Sequence, residues 1–400
     1  MKRTQKLGRW LQARLPIDYV WRRYFSHYYV AKNLNVLYCF GVLALLVLVN
    51  QLVTGFWLTL FYTPTVQDAF QSIETIMRDV NFGWLFRTMH STGASAFYIV
   101  LYIHLFRGLL YGSYQRPREL VWILGVLLFV LLLMEGFFGY LLPWGQLSYW
   151  GAQVITAIFG VVPYFGDSLV TWVRGDFMIG QPTLQRFFAL HVIGIPLMVL
   201  LLTSVHLIAL RHVGSSNPEG IDVPKRLSAE TVAFYPYYIL KDAAAVLIFL
   251  TVFFSIVFFF PDFGGYFLEP ANAEPANPLV TPNPMTPLWY MAPFYGMLRA
   301  IPHKLGGVMV MISAMGLLFL VPWLDNSPVR SMRYKGNYSR IGLSLMVVSF
   351  VVLGYLGIHE QPPGKQVMAQ GATLLYFVYF LGMPFYTRFE STRLLPEHIQ

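Results

Sequence analysis

The sequence predicts an all-α, polytopic membrane protein of eight transmembrane helices, the first four gathered into one bundle, on three observations. Hydrophobic residues make up 56% of the 400 and charged residues 12%, and several apolar runs exceed the ~18 residues that cross a bilayer. Lys and Arg concentrate in alternate connections, as membrane topology requires. Two of the apolar runs carry paired histidines and two carry paired glycines, at nearly one spacing. Little length remains for a soluble domain of ordinary size. The net charge of +9 reads as topology rather than as a nucleic-acid footprint.

Residues 1–35 form a basic cytoplasmic segment. Lys2, Arg3, Lys6, Arg9, Arg14, Arg22, Arg23 and Lys32 stand there against one acid, Asp18, which puts this end inside. The first long apolar run starts near Val36 without a small-residue cleavage site, so no signal peptide is expected. Spans are expected at 36–61, 84–111, 120–142, 184–210, 240–260, 305–324, 340–358 and 371–387. Both termini then lie inside, along with most of the 28 Lys and Arg. The outer connections 62–83, 143–183 and 261–304 are long; the last two are rich in Gly, Pro and aromatics, with helical pieces expected at Val154–Ile158 and Thr286–Ala300. Loops of that length in a compact membrane protein usually carry function. Two parts result: 36–212 with loop 143–183, a four-helix bundle, and 213–400 with loop 261–304, a second four-helix part.

The second span contains His90 and His104, fourteen positions apart. At ~100° and ~1.5 Å per residue, both imidazoles look the same way at two depths roughly 21 Å apart. The fourth span repeats the arrangement with His191 and His206, fifteen apart and so about 60° off register. Threading makes His90 and His191 the outer pair, His104 and His206 the inner. Neutral imidazole is a common ligand of haem iron, and four histidines at matched spacings weaken the alternative of isolated core residues. Gly41 and Gly55 in the first span, and Gly125 and Gly139 in the third, repeat the fourteen-residue spacing at the same two levels. Glycine in a helix interior costs up to ~1 kcal/mol against Ala, but it lets a flat macrocycle touch the backbone; small-residue helix packing is the alternative. Histidines and glycines together favour two non-covalent, bis-histidine b-type haems between four helices. Arg87, Arg107 and Arg186 suit haem carboxylates as bidentate donors unless they are snorkelling anchors, and Ser113, closing the same stretch as Arg107, joins them as a candidate cofactor contact. The single cysteine, Cys39, excludes an internal disulfide, covalent haem attachment and an iron–sulfur cluster held by this chain's thiolates.

With those residues in place, the chain resembles cytochrome b of the respiratory quinol:cytochrome c oxidoreductase, of bacterial type, from about residue 20 to the last span. The match includes Arg78-Asp79-Val80-Asn81, the run Gly139 to Gln146 around Pro143, and Gly214-Ser215-Ser216-Asn217-Pro218. It continues with Tyr237 to Asp242, Trp289-Tyr290 and Lys304 to Gly307. The resemblance implies an oxidoreductase and proton translocase core that oxidises ubiquinol at an outer-face site and passes one electron through two haems to ubiquinone at an inner-face site. Carried over by motif, it implies outer-site residues Tyr140, Pro143, Gly151, Pro287, Trp289, Tyr290 and Tyr295, and Asp242 at the inner site. It further implies a Rieske iron–sulfur protein and a c-type cytochrome as partners, a homodimeric complex, and the bacterial cytoplasmic membrane as location. On residues alone, Pro143 and Gly151 read as a helix stop and a turn, and the aromatics as an interfacial belt.

Three departures bear on chemistry. The chain reads Pro287-Leu288-Trp289-Tyr290 where the family commonly has Glu in second place, so a carboxylate is missing. Arg211, followed by His212, stands where the inner site usually has His. The spacing from His191 to His206 is one longer than in mitochondrial members. Glu135, deep in the third span, is the candidate replacement proton acceptor, with Asp176 in the outer loop as the other. Two rival readings are a di-haem anchor passing electrons between a dehydrogenase and the quinone pool, and a transporter with intramembrane polar residues; the long outer loops weigh against the first.

Overall fold

The computed structural model describes residues 8–22 and 26–399; Lys2, Arg3, Lys6 and Arg23 of the basic segment lie outside the described residues. Among the described residues, eight helices are long and apolar enough to cross a membrane: α1 Val36–Thr59, α2 Gly83–Leu110, α3 Glu119–Leu141, α4 Gln181–Val213, α5 Phe234–Phe259, α6 Lys304–Leu324, α7 Asn337–Ile358 and α8 Pro363–Phe389. They answer the expected spans one for one. The largest shift is at α8, which begins eight residues before the apolar stretch does. Pro363 sits in its first turn, where a missing N–H is no loss, and the polar residues that follow extend the helix beyond what hydropathy alone marks.

α4 corrects the expected register. Between Gln181–Ala189 and Ile195–Val213 the chain takes one wide π-helical turn, Leu190–Gly194, directly before Pro196, which has no N–H to close an α-helical bond. That turn absorbs one residue, so the fifteen-residue spacing behaves as fourteen. His191 and His206 therefore share a face, and both meet α3.

α1 packs along α2, α3 along α4, and α7 along α8, while α5 lies against α1 and α2. The short helix Ala292–Ala300 wedges among α6, α7 and α8. One apolar core joins Tyr98 of α2 and Trp122, Val126 and Phe129 of α3 to Phe294, Met297, Leu353 and Tyr376. A second joins Val47, Phe138, Leu141 and Phe187 to Trp144, Tyr149 and Ile179 of the outer loop. Because α3 contributes to both, the two parts of the chain are held by shared packing.

Two outer pieces differ from expectation. The first runs Gln146–Ala157, starting earlier because the Ser148 hydroxyl accepts from Gly145 N at 3.1 Å and caps it. The second is confined to Ala292–Ala300, with Pro293 in its first turn, where a missing N–H is no loss; upstream, Pro287 disfavours the helical region for Thr286. Further helices on this side are Ala69–Arg78 and Gly166–Arg174. At the opposite face β1 Tyr29–Ala31 pairs antiparallel with β2 Thr231–Ala233. There Lys335 and Asp325 form an ion pair with side chains 1% and 0% exposed.

Candidate functional site

Two levels are called outer and inner here, after the expected threading. At the outer level the rings of His90 on α2 and His191 on α4 have centroids 6.1 Å apart and planes at 87°. Both Nδ1 atoms are occupied. That of His90 meets Thr54 Oγ1 at 2.9 Å, and that of His191 meets the Glu135 carboxylate at 3.0 Å and the Glu135 carbonyl at 3.1 Å. Such contacts fix ring orientation and leave Nε2 to face a ligand. Two imidazoles bound to one metal at ~2.0 Å, plus the depth of each ring, put centroids ~6 Å apart, which the observed separation fits.

The glycines stand opposite the histidines one by one. A Cβ built on Gly55 would lie 3.1 Å from His90 Cε1, and on Gly139 2.4 Å from His191 Cε1; at the inner level, Cβ atoms on Gly41 and Gly125 would lie 3.4 Å from His104 and His206. At Gly139 any side chain collides.

Above this level the two long loops are stitched together. Gln146 N donates to the Glu274 carbonyl at 2.9 Å, Ala276 N to the Trp144 carbonyl at 3.0 Å, and Asn277 N to Gln146 Oε1 at 2.6 Å. Tyr140 is thereby brought to Asn272, whose Nδ2 reaches its hydroxyl at 2.9 Å and the Glu269 carboxylate at 3.2 Å. Gly151 passes the Tyr140 ring, a Cβ there lying 3.6 Å away. Tyr290 stacks on Tyr98 with centroids 3.6 Å apart, and Trp289 Nε1 donates to Ser95 Oγ at 3.1 Å. Pro143 lies just beyond the end of α3, Pro287 precedes the Trp289-Tyr290 pair, and Tyr295 follows on Ala292–Ala300 with the Arg299 guanidinium 5.7 Å from its ring. Leu288 packs against the apolar core.

Of the two expected proton acceptors, Glu135 meets His191 through Oε1, because it lies four residues before Gly139 and thus on the same helix face. Its Oε2 is buried without a partner among the described residues, and Gly136, next in the chain, faces the Tyr98 and Tyr290 hydroxyls. Asp176 is exposed and accepts from the Phe177 amide at 2.7 Å. The residues that sequence reasoning missed are Glu269, Asn272, Thr54, Ser95 and Tyr98. Glu269 and Asn272 belong to an irregular loop with no period to mark them.

At the inner level Arg107 donates to Ser113 Oγ at 3.2 Å, which meets Ser216 Oγ at 2.7 Å, and its guanidinium lies 4.9 Å from the Tyr38 ring centre. Its Nε is buried with no hydrogen-bond partner among the described residues. An orphaned donor of this kind, beside glycine-lined histidines, fits the carboxylate of a bound macrocycle. Cys39 and Arg211 stand near enough to Asp242 to act on its carboxyl; among the described residues no ion pair joins it to its neighbour Lys241. Arg211 itself lies between the rings of Tyr28 and Phe234, 4.1 and 4.6 Å from their centres. Arg87 lies near His90, one turn earlier on α2, whereas Arg186 is exposed and tied to the Trp172 carbonyl.

Eight spans with histidine pairs at two depths define a polytopic membrane protein built for electron transfer. The family model Cytochrome b/b6/petB matches residues 25–214, and Cytochrome b(C-terminal)/b6/petD matches residues 275–377. Cytochrome b of Allochromatium vinosum is 49% identical over 100% of this chain and 99% of its own length; that of Rickettsia bellii is 44% identical over 99% and 98%. A solved structure titled hyperthermophilic respiratory Complex III superposes with a TM-score of 0.90 at 39% identity, covering 95% of this chain and 98% of its own. The chain belongs to the cytochrome b/b6 family. It is thus a multi-span protein of respiratory electron transport, and haem b binding is a property of that family.

Proposed function

We propose that this chain is the electron-transfer core of a quinol:cytochrome c oxidoreductase that oxidises ubiquinol at the outer face and reduces ubiquinone at the inner face of a bacterial cytoplasmic membrane. It works as a homodimeric complex with a Rieske iron–sulfur protein and a c-type cytochrome. The observation that carries this reading is the stacking of a loop-built polar and aromatic pocket directly beyond one of two glycine-lined histidine pairs. Each pair holds one haem b, which when bound supplies one-electron redox chemistry at its depth. His90 and His191 ligate at the outer level, with Gly55 and Gly139 leaving room for the macrocycle; His104 and His206 ligate at the inner level, with Gly41 and Gly125. Arg87 and Arg107 neutralise haem carboxylates, and Ser113 fixes Arg107 in place.

Outer quinol binds among Tyr140, Pro143, Gly151, Pro287, Trp289, Tyr290 and Tyr295. Gly151 keeps the face of Tyr140 open, and the stack of Tyr290 on Tyr98 holds the far wall. The two stitched loops exclude water from the pocket. A di-haem conduit with one quinone site has no use for that construction.

At the inner site Asp242 supplies a proton to reduced quinone, with Arg211 orienting the ring. Asp242→Asn is expected to slow reoxidation of the inner haem by quinone ~10²-fold, the lower range for a positioned proton donor, while quinol-driven haem reduction at the outer site continues. Flash or stopped-flow spectroscopy of the two haem bands separates the two steps. An unchanged reoxidation rate rejects the assignment.

A further inference from the structure

Glu269 lies half-buried at the outer level, beyond the ends of the membrane-spanning helices. Its carboxylate accepts from Asn272 Nδ2 at 3.2 Å, and the same Nδ2 reaches the Tyr140 hydroxyl at 2.9 Å, so one amide bridges the two. Asn272 Oδ1 in turn accepts from Ser148 N at 2.8 Å, which pins this triangle to the start of helix Gln146–Ala157. Arg87 from α2 and the Tyr290 phenol are the other ionisable groups whose charge reaches Glu269.

The other acids of this face are engaged elsewhere. Within α3, Glu135 Oε1 is bonded to His191 and its Oε2 is buried without a partner among the described residues, and Glu74 pairs with Arg78 at 2.5 Å. Asp68, Asp79, Asp167, Asp176, Asp262, Glu274 and Glu360 are exposed. Oxidation of a quinol must dispose of two protons, and a positioned base within hydrogen-bond reach is what accelerates such a transfer. Among the described residues, Glu269 is the carboxylate joined to Tyr140 through Asn272, and its charge reaches Tyr290.

We propose that Glu269 accepts a proton from quinol at the outer site. The assignment rests on the reading of that site as quinol-oxidising. In the step, an O–H bond of the quinol breaks and its proton converts the Glu269 carboxylate to the neutral acid. The second proton leaves to the outer water. Two electrons leave the hydroquinone, one to the outer haem and one to the iron–sulfur partner, so that quinone remains. Glu269 then returns its proton to the outer water.

Burial pushes the Glu269 carboxyl above the ordinary carboxylate range, against the opposing pull of Asn272, Tyr140 and Arg87. An acceptor must be ionised to act. Turnover therefore holds above that raised value and falls as pH drops through it, starting at a less acidic pH than for a surface glutamate.

The test follows quinol-driven reduction of the outer haem across pH in the intact complex, for the wild type, Glu269→Gln and Glu269→Asp. Glu269→Gln is expected to lower the rate ~10²-fold and to abolish the acid limb of the pH profile, with the haem spectrum and quinone-side reoxidation of the inner haem unchanged. Glu269→Asp, one methylene shorter, recovers part of the rate together with the acid limb. A Glu269→Gln complex with full rate and the wild-type profile overturns the proposal. Where Glu269→Gln loses haem, Glu269→Asp decides: a reduced rate with a displaced acid limb supports the proposal, and a wild-type rate and profile overturns it. Absence of quinol-driven haem reduction in the wild type strikes instead at the reading of the site, and the assignment of Glu269 falls with it.

Discussion

Replacing His90 or His191 with Ala is expected to remove one haem, that of the outer level, and to leave the other in place; His104→Ala or His206→Ala does the reverse. On the proposed reading, iron would be held by both imidazoles and would lose one of its two protein ligands when either is cut. The pairing follows from the 6.1 Å separation of the His90 and His191 rings and from the matched glycines of α1 and α3. Haem extraction gives the stoichiometry, expected to fall from two per chain to one, and a redox titration identifies which centre is lost. Loss of the same haem in His90→Ala and His206→Ala contradicts the pairing. Thr54→Val, which removes only the hydroxyl at His90 Nδ1, should keep both haems and shift the potential of the outer one.

The largest effect on stability is expected far from either haem level. Asp325 and Lys335 are an almost fully buried ion pair, and Asp325 Oδ2 also accepts from Tyr114 at 2.5 Å and Gln115 at 2.8 Å. Burial pushes the Tyr114 phenol well above its ordinary range, so it remains a hydrogen-bond donor throughout the working pH. Asp325→Ala strands the Lys335 ammonium without a partner, and breaking such a pair from one side costs about 3–5 kcal/mol. Denaturation of the purified protein, followed by loss of the haem band and by circular dichroism, should show the midpoint falling by a corresponding amount. The double variant Asp325→Leu with Lys335→Met should recover most of it, because apolar residues of similar volume replace buried pairs at little net cost. An unchanged midpoint in Asp325→Ala shows that the pair contributes nothing.

The spans and the two histidine levels were legible in the sequence because both are periodic. Hydropathy marks a helix by length, and a fourteen-residue interval marks one face. What escaped was whatever depends on distant segments meeting. Glu269 acquires its meaning only when loop 261–304 is bonded to Gln146 and Ser148. The Lys335 and Asp325 pair reads in sequence as two ordinary residues of an inner connection. Glu135 shows the limit of counting depth alone, since its distance along α3 does not reveal that one of its oxygens meets His191. The π-helical turn at Leu190–Gly194 shows another limit: an ideal helix rotates His191 and His206 apart, and only the actual backbone before Pro196 returns them to one face.

The four glycines also bear on how the N-terminal bundle is filled. Each withholds side-chain packing from the centre of the N-terminal bundle, and in water a helix-interior glycine is less favourable than alanine by ~1 kcal/mol. Four together amount to ~4 kcal/mol, comparable with the whole margin of a small domain. At Gly139 a Cβ would come within 2.4 Å of the His191 ring, so the close approach of that histidine itself requires glycine. The core around Met297, Leu353 and Phe380, by contrast, is closed by side chains, among them Tyr98, Trp122 and Phe129 of the first half. A macrocycle bound between the glycine-bearing helices would therefore serve the N-terminal bundle as packing material as well as redox centre.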